Sequence, residues 1–465
     1  MKKNISRRKF LDYSGKMSLG LGLLSPFAKL MGGGLFKASG HSGPNDYKVL
    51  VCFFQSGGND SFNMLMPLGA EYNAYAQTRS NLAIPEDEIL PLQPSNTGTR
   101  QFGVHPSMPE IQALFNDGKL AFLSNTGTLI QPVTAEEVKN ESAPLPLGLF
   151  SHVDQQQEWM TGKPHIRTIK GWGGKIADKL KDLNPSGSIS MNISLAGTNI
   201  FQSGDDTVEF AIGDLDEFTG IYGYGAHNWD GFGQEITAGI DSMLNQKYND
   251  PFKKTYIDVI KNAKNSLEVF NEAMENTPPL TTEFSDNDIS NAFKTVAMII
   301  KANNILGFKR QIFFIEYQGW DHHDELLDNH SQMLGVTSRA FGEFDRAMTE
   351  LGMQDNVTVF SMSEFGRTLT SNGNGTDHAW GGNVMVMGGA VKGKKIYGDY
   401  PLLDLNNPLM LWDGVVVPTL STDEYFTELV QWFGVSHDYI QSLFPNLTNF
   451  YDINSGQPPV GFMKS

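Results

Sequence analysis

The chain has 465 residues, 40% of them hydrophobic, enough for one large domain or two smaller ones with a substantial core. Formal net charge is −17, and residues 1–40 hold eight Lys or Arg against one acid, so setting that +7 aside leaves −24 on the remainder. A surface of that sign repels nucleic acid and anionic lipid and argues against a nucleic-acid-binding role.

At the amino terminus, Ser6-Arg7-Arg8-Lys9-Phe10-Leu11 leads into a modestly apolar stretch from Met17 to Leu30 that is rich in Gly and Ser. This is the pattern of a twin-arginine export signal. A basic amphipathic start to a cytosolic chain is the alternative, but it does not require the full Ser-Arg-Arg-x-Phe-Leu order. Ala38-Ser39-Gly40 supplies small residues for cleavage, so 1–40 is read as the signal and 41–465 as the mature protein. The expectation is a protein exported already folded, with its metal, by the twin-arginine translocation machinery to the periplasm or beyond. No other run is long and apolar enough to span a bilayer, so an integral membrane protein is not expected.

The mature part alternates short apolar runs with longer helical patterns. Strands are predicted over 47–54, 119–124, 189–195, 311–317, 357–362 and 383–387. Several are continuous apolar runs, as in strands covered on both faces of a mostly parallel sheet. Cys52, the only cysteine, lies in the first of these and is read as a buried small hydrophobe. Helices are predicted over 108–116, 172–180, 289–303 and 331–351; in the last, Leu334, Phe341, Phe344 and Met348 share one face. The alternation predicts a doubly wound α/β core.

Residues 205–285 break this rhythm. An acidic stretch (Asp205, Asp206, Glu209, Asp214, Asp216, Glu217) reads as a solvated face. Tyr222-Gly-Tyr-Gly-Ala-His-Asn-Trp229 either packs a cap onto the core or lines a cleft. A long helical segment then runs to about Asn276, before Pro278-Pro279, so the whole reads as a helical cap. Near the end of the chain, 422–433 reads as a capped amphipathic helix stopped by Gly434.

The chemistry-bearing residues follow the apolar runs: Gly57-Gly-Asn-Asp-Ser61, Gly319-Trp-Asp-His-His323, Ser363-Glu-Phe-Gly-Arg367 and Gly375-Thr-Asp-His378. Asp, Glu and His in loops at strand ends are a ligand set for a divalent cation held by oxygen and nitrogen. In open α/β sheets such loops converge at the carboxyl ends of the strands. Zn, Mn, Mg and Ca all remain open as the cation.

Together with Asn372-Gly-Asn-Gly-Thr-Asp-His378 and Gly388-Gly-Ala-Val-Lys-Gly393, this ordered series resembles the bacterial family called domain of unknown function 1501. That family belongs to the alkaline phosphatase and sulfatase superfamily, and its members commonly carry a twin-arginine signal. The resemblance covers nearly all of the mature chain and is weakest across the cap. It implies an alkaline phosphatase-like α/β fold with one or two divalent metals, acting on a phosphate or sulfate ester of a small molecule or glycan. A non-catalytic metal- or ligand-binding member of the same fold is the alternative.

By position, Asp321, His323 and His378 resemble the ligands of one metal, and Asp60 and Glu364 two ligands of another. Of the adjacent histidines, His323 matches the ligand position, leaving His322 behind a ligand or facing solvent. The superfamily's Asp-His-Gly motif reads Glu364-Phe365-Gly366 here, and Phe365 cannot bind a metal. Ser151-His152, with Thr161-Gly162 downstream, resembles the segment that carries the nucleophile; Ser151 is either that nucleophile or an ordinary helix cap, and Ser61 is a weaker candidate. Cys-x-Pro-x-Arg does not occur, so a formylglycine sulfatase is not expected. Arg367 either clamps the anionic ester or forms a structural ion pair. Asp377 orients His378, replaces the missing ligand or shapes the turn. His105 lines the site or is structural, and His227, His330 and His437 read as ordinary polar or surface histidines.

Overall fold

The computed structural model describes residues 46–184, 189–213, 224 and 233–464. The signal segment, His227, the acids at 214, 216 and 217, and all of 222–229 except Tyr224 lie outside the described residues.

Among the described residues, twelve strands form two sheets. They are β1 Lys48–Ser56, β2 Leu65–Leu68, β3 Leu90–Pro91, β4 Gln101–Val104, β5 Leu120–Gly127, β6 Asn192–Ser194, β7 Phe210–Ala211, β8 Arg310–Gln318, β9 Val357–Met362, β10 Gly382–Met387, β11 Ile396–Tyr397 and β12 Leu420–Ser421. The large sheet runs β11-β5-β10-β9-β1-β8-β6-β7, with β12 also paired to β5. All its pairings are parallel except those of β10, which runs antiparallel to β5 and β9. This is the mixed, mostly parallel sheet that the alternating pattern predicts. A small antiparallel sheet, β2-β4-β3, was not foreseen; its strands are short and interrupted by Pro67 and Gly103.

The continuous apolar run of β1 is explained by cover on both sides. Successive side chains of a strand point to opposite faces. Phe53 meets Phe293 and Phe341 of the helices Asp288–Lys301 and Leu326–Leu351 on one face. Phe54 stacks on Phe314 of β8 on the other face. There Trp172 of the helix Trp172–Leu180 packs against Phe360 of β9 and Phe426 of the helix Thr422–Phe433. Every residue from Val49 to Phe54 is therefore inaccessible, Cys52 included. Leu334, Phe341, Phe344 and Met348 face this core as their spacing predicts.

Some boundaries differ from the sequence reading. The last long helix before β9 starts at Leu326, because Glu325 takes a left-handed backbone and turns the chain directly into it. The long helical segment expected to run to about Asn276 is two helices, Gly233–Asn245 and Pro251–Glu275. Asp250 caps the second by accepting from Phe252 and Lys253, and Pro251 suits a first-turn position with no intrahelical acceptor. His330 is not a surface residue: it is buried and its Nε2 bonds Asn59 Oδ1 at 2.9 Å.

Candidate metal centre

β9, β1 and β8 are adjacent and parallel, with Ser56 opposite Gln318 and Phe54 opposite Met362. The three loops that follow them therefore leave from one edge of the sheet. Gly57 passes so close beneath the next loop that a Cβ would lie 2.5 Å from the Asp321 nitrogen, and its φ of 126° is open only to glycine. Gly375 is held as tightly, since a Cβ there would lie 2.3 Å from the His323 carbonyl carbon. Thr376 N–H then donates to His322 O at 3.0 Å, which lays Asp377 and His378 beside His323.

Asp321 is the centre of the group. His323 Nε2 lies 3.1 Å and His378 Nε2 3.2 Å from Asp321 Oδ1, and His152 Nε2 lies 3.4 Å from Asp321 Oδ2. His323 and His378 Nε2 are 2.9 Å apart. Each imidazole is also anchored at its other nitrogen. His378 Nδ1 meets the Phe150 carbonyl at 2.7 Å, His323 Nδ1 meets Asp377 Oδ1 at 3.0 Å, and His152 Nδ1 meets Glu364 Oε1 at 2.9 Å.

A carbonyl and a carboxylate only accept, so Nδ1 carries a proton in each of the three rings, and in the neutral ring Nε2 is then the atom left to act as a ligand. Phe150 sits at φ 71°, a costly backbone for a bulky residue, and this conformation aims its carbonyl at His378. Burial lowers the His378 pKa, favouring the neutral ring. The hydrogen bond to Glu364 outweighs burial at His152 and raises its pKa. Burial alone would raise the Asp321 pKa, but the hydrogen bond and charge of Arg367 outweigh it and keep the carboxylate ionised.

The donor set fits a divalent cation. Ligand atoms about 2.1 Å from a zinc-sized ion lie roughly 3.4 Å apart in a tetrahedral shell. Four of the six separations among these donor atoms are 2.9 to 3.4 Å, and His152, Asp321 and His378 offer ligand atoms within 4.8 Å of one another. Anchoring of the remote imidazole nitrogen by carboxylate or carbonyl is the usual support for metal-binding histidine.

The residues singled out from sequence fall into distinct places. Asp321, His323 and His378 come together. Glu364 is at the site but fully buried, and its Oε1 accepts from Gly57 N–H at 2.8 Å and Gln156 Nε2 at 2.9 Å besides His152. It thus supports an imidazole, although its Oε2 has no partner. Asp60 is buried on Arg79, whose guanidinium also bonds Asn63 and the Thr368 and Leu369 carbonyls. Among the described residues no hydrogen bond or ion pair joins Asp60 to the group around Asp321.

Arg367 is fully buried, and its three nitrogens bond Asp321 Oδ1 at 2.6 Å, Gly57 O, Thr376 Oγ1 and Thr376 O. Its fork is used on the protein, which corresponds to the ion-pair alternative rather than an ester clamp. Ser151 caps the helix His152–Thr161, accepting from Asp154 N–H at a long 3.5 Å. Ser61 Oγ is engaged with the Asn383 N–H at 2.7 Å. Phe365 stacks on His378 with ring centroids 4.6 Å apart and packs 4.9 Å from His152. His322 is buried rather than solvent-facing, against Trp320 and His330. His105 packs on His330 and accepts from Ser107 N–H, a structural role.

Sequence reasoning missed His152 as a member of the group, and missed the Phe150 carbonyl altogether. His152 belongs to the Ser151-His152 pair, in which the hydroxyl is the group that matches the nucleophile position. A backbone anchor leaves no residue-type signal. Beside the group opens a cleft of about 320 Å³, lined among others by Phe150, His323, Asp377, His378, Trp412 and Asp413.

Fold and site together define an α/β protein with helices on both faces of a mostly parallel sheet and an imidazole–carboxylate centre at its strand ends. Over residues 228–410 the chain carries the pattern of the DUF1501 family, proteins of unknown function; this is the family the motifs resemble, and the matched stretch holds Asp321, His323, Glu364 and His378. No curated protein matches the sequence. Among solved structures, Ps i-CgsB in complex with k-i-k-neocarrahexaose is 10% identical, covering 86% of this chain and 76% of its own, with a TM-score of 0.36. A Bacteroides thetaiotaomicron structure described under metabolism of multiple glycosaminoglycans is 10% identical, with 88% and 78% covered and a TM-score of 0.37. Lipooligosaccharide phosphoethanolamine transferase A from Neisseria meningitidis is 9% identical, with 98% and 64% covered and a TM-score of 0.34. No helix among the described residues is long and apolar enough to cross a membrane.

Proposed function

We propose that this chain is a metal-dependent hydrolase of phosphate or sulfate esters, exported by the twin-arginine machinery to the periplasm or beyond. One divalent cation would be held by Asp321, His323, His378 and His152. The observation that carries the reading is the set of three imidazoles, each anchored at Nδ1, whose Nε2 atoms converge on one carboxylate. Three nitrogens and one carboxylate favour a zinc-like ion over magnesium or calcium, which prefer oxygen. Such a cation supplies a Lewis acid that polarises an ester oxygen.

The chain's own groups have separable roles. Arg367 holds Asp321 ionised and oriented; Asp377, Glu364 and the Phe150 carbonyl hold the three rings. Ser151 is the candidate nucleophile: it begins the helix whose first residue is His152, and its hydroxyl is only weakly engaged by the cap. Attack by its oxygen would form a bond from Ser151 to the phosphorus or sulfur as the bond to the alcohol breaks; the hydroxyl proton leaves with the alcohol, and water then cleaves the covalent ester and restores Ser151.

The test is to measure bound metal in the purified protein and hydrolysis of chromogenic phosphate monoesters, phosphate diesters and sulfate esters. Turnover should appear and should vanish in folded Asp321→Ala and His378→Ala variants. A non-catalytic metal- or ligand-binding protein is the second reading. It is favoured by Phe365 in place of an imidazole and by the burial of Arg367 on protein acceptors. Full metal occupancy with no turnover on any ester would establish it.

A further inference from the structure

The cleft beside the metal centre has an aromatic wall and an acidic rim. Trp412 is 51% exposed, a large aromatic side chain left half in water. The backbone that carries it is well anchored all the same. Leu411 N–H bonds Val415 O at 2.9 Å, and Leu369 N–H bonds Gly414 O at 3.0 Å. Thr370 Oγ1 bonds Asp413 O at 2.6 Å, and Asp413 takes a left-handed backbone with φ 54°. Phe150, whose carbonyl anchors His378, packs edge-on against the indole with ring centroids 6.4 Å apart. The exposed face is thereby tied to the metal centre through a single residue.

Charge narrows what can lie on it. The carboxylates of Asp377 and Asp413 line the cleft, and none of the described residues lining it is Lys or Arg. Beyond the single ester group that the proposed cation would take, the further charges of a polysulfated or nucleotide chain would bring like charge to these acids. A pyranose has the complementary character: an apolar C–H face for the indole, and hydroxyl donors at its edge for the carboxylates. The volume, about 320 Å³, suits a small ligand pocket.

We infer that this cleft is a subsite for a neutral sugar ring, stacked on Trp412 with its hydroxyls donated to Asp413 and Asp377. The inference takes the ester-hydrolase reading for its orientation, with the ring carrying or adjoining the ester at the metal centre. Binding itself needs no turnover.

The experiment is isothermal titration of the purified metal-loaded protein, with intrinsic tryptophan fluorescence alongside. The probes are neutral cello-, xylo-, laminari- and galacto-oligosaccharides, with polyglutamate as a charged comparator that carries no phosphate or sulfate ester. Saturable binding of at least one neutral series is expected, exceeding that comparator. Trp412→Ala should weaken it by about tenfold or more, and Trp412→Phe by less. Asp413→Asn retains a residue tolerant of the left-handed backbone and should weaken it as well. Failure of every neutral series to bind, preference for the charged comparator, or unchanged binding in folded Trp412→Ala would each overturn the inference. Sugar binding without ester turnover would count against the hydrolase reading alone, and turnover of chromogenic esters without sugar binding would count against the subsite alone.

Discussion

His323 and His378 point their Nε2 atoms at each other across 2.9 Å, with both opposite nitrogens already committed to acceptors. Two lone pairs repel at that distance unless a proton or a cation lies between them. Asp321 completes the argument, because its carboxylate stands beside both rings and Arg367 keeps it ionised.

One equivalent of divalent metal per chain is therefore expected by elemental analysis. Removing a supporting carboxylate should loosen a ring rather than delete a ligand, so Asp377→Asn and Glu364→Gln should each weaken metal affinity about 10- to 100-fold. Competition with a chromogenic chelator measures this. Two equivalents per chain would instead give Glu364 a cation of its own.

Asp60 and Arg79 form an ion pair with neither side chain more than 1% exposed. Arg79→Met leaves a buried carboxylate uncompensated and should cost about 3–5 kcal/mol in urea unfolding. Asp60→Asn should cost less and leave the metal content unchanged. Loss of metal in that variant would make Asp60 a ligand after all.

Ser151→Ala separates the two roles of its hydroxyl. The cap bond is long, so stability should fall by only about 0.5–1 kcal/mol. Ester turnover, under the proposed chemistry, should fall by orders of magnitude. A rate equal to wild type would remove Ser151 as nucleophile and leave it a cap.

Glu158 gives a pH dependence separate from the metal centre. Burial raises its pKa from 4.5 to about 8, although Thr128 Oγ1 donates to its Oε2 at 2.9 Å. Between those values the folded chain retains a proton that the unfolded chain has lost. This contribution to stability is thus present below pH 4.5 and is lost as pH rises through about 8. Glu158→Gln cannot lose a proton, so its unfolding midpoint should decline less steeply across that window. Parallel midpoint curves for variant and wild type would show that Glu158 is not responsible.

The interior of the sheet was legible from residues 48–56, 310–318 and 357–362 because a strand covered on both faces must be apolar at every position. The helix 172–180 was legible because its buried stripe recurs at helical spacing. His330 and His322 were not, since a histidine's burial depends on neighbours such as Asn59 and Trp320 that arrive from elsewhere in the chain. Glu364 shows the same limit: its residue type permits ligand or support, and only the approach of His152, Gln156 and Gly57 gives it three donors to satisfy.

By itself, the sequence determined the alternation of buried strands and amphipathic helices, and placed Asp321, His323, Glu364 and His378 in loops at strand ends. Those follow from local periodicity and from the chemistry of single residues. Tertiary structure alone decided that His152 joins them, that Asp60 turns to Arg79, and that Arg367 is bound to Asp321. Each of these is a contact between side chains remote in sequence, and such contacts depend on strand register and on close backbone approach at Gly57 and Gly375.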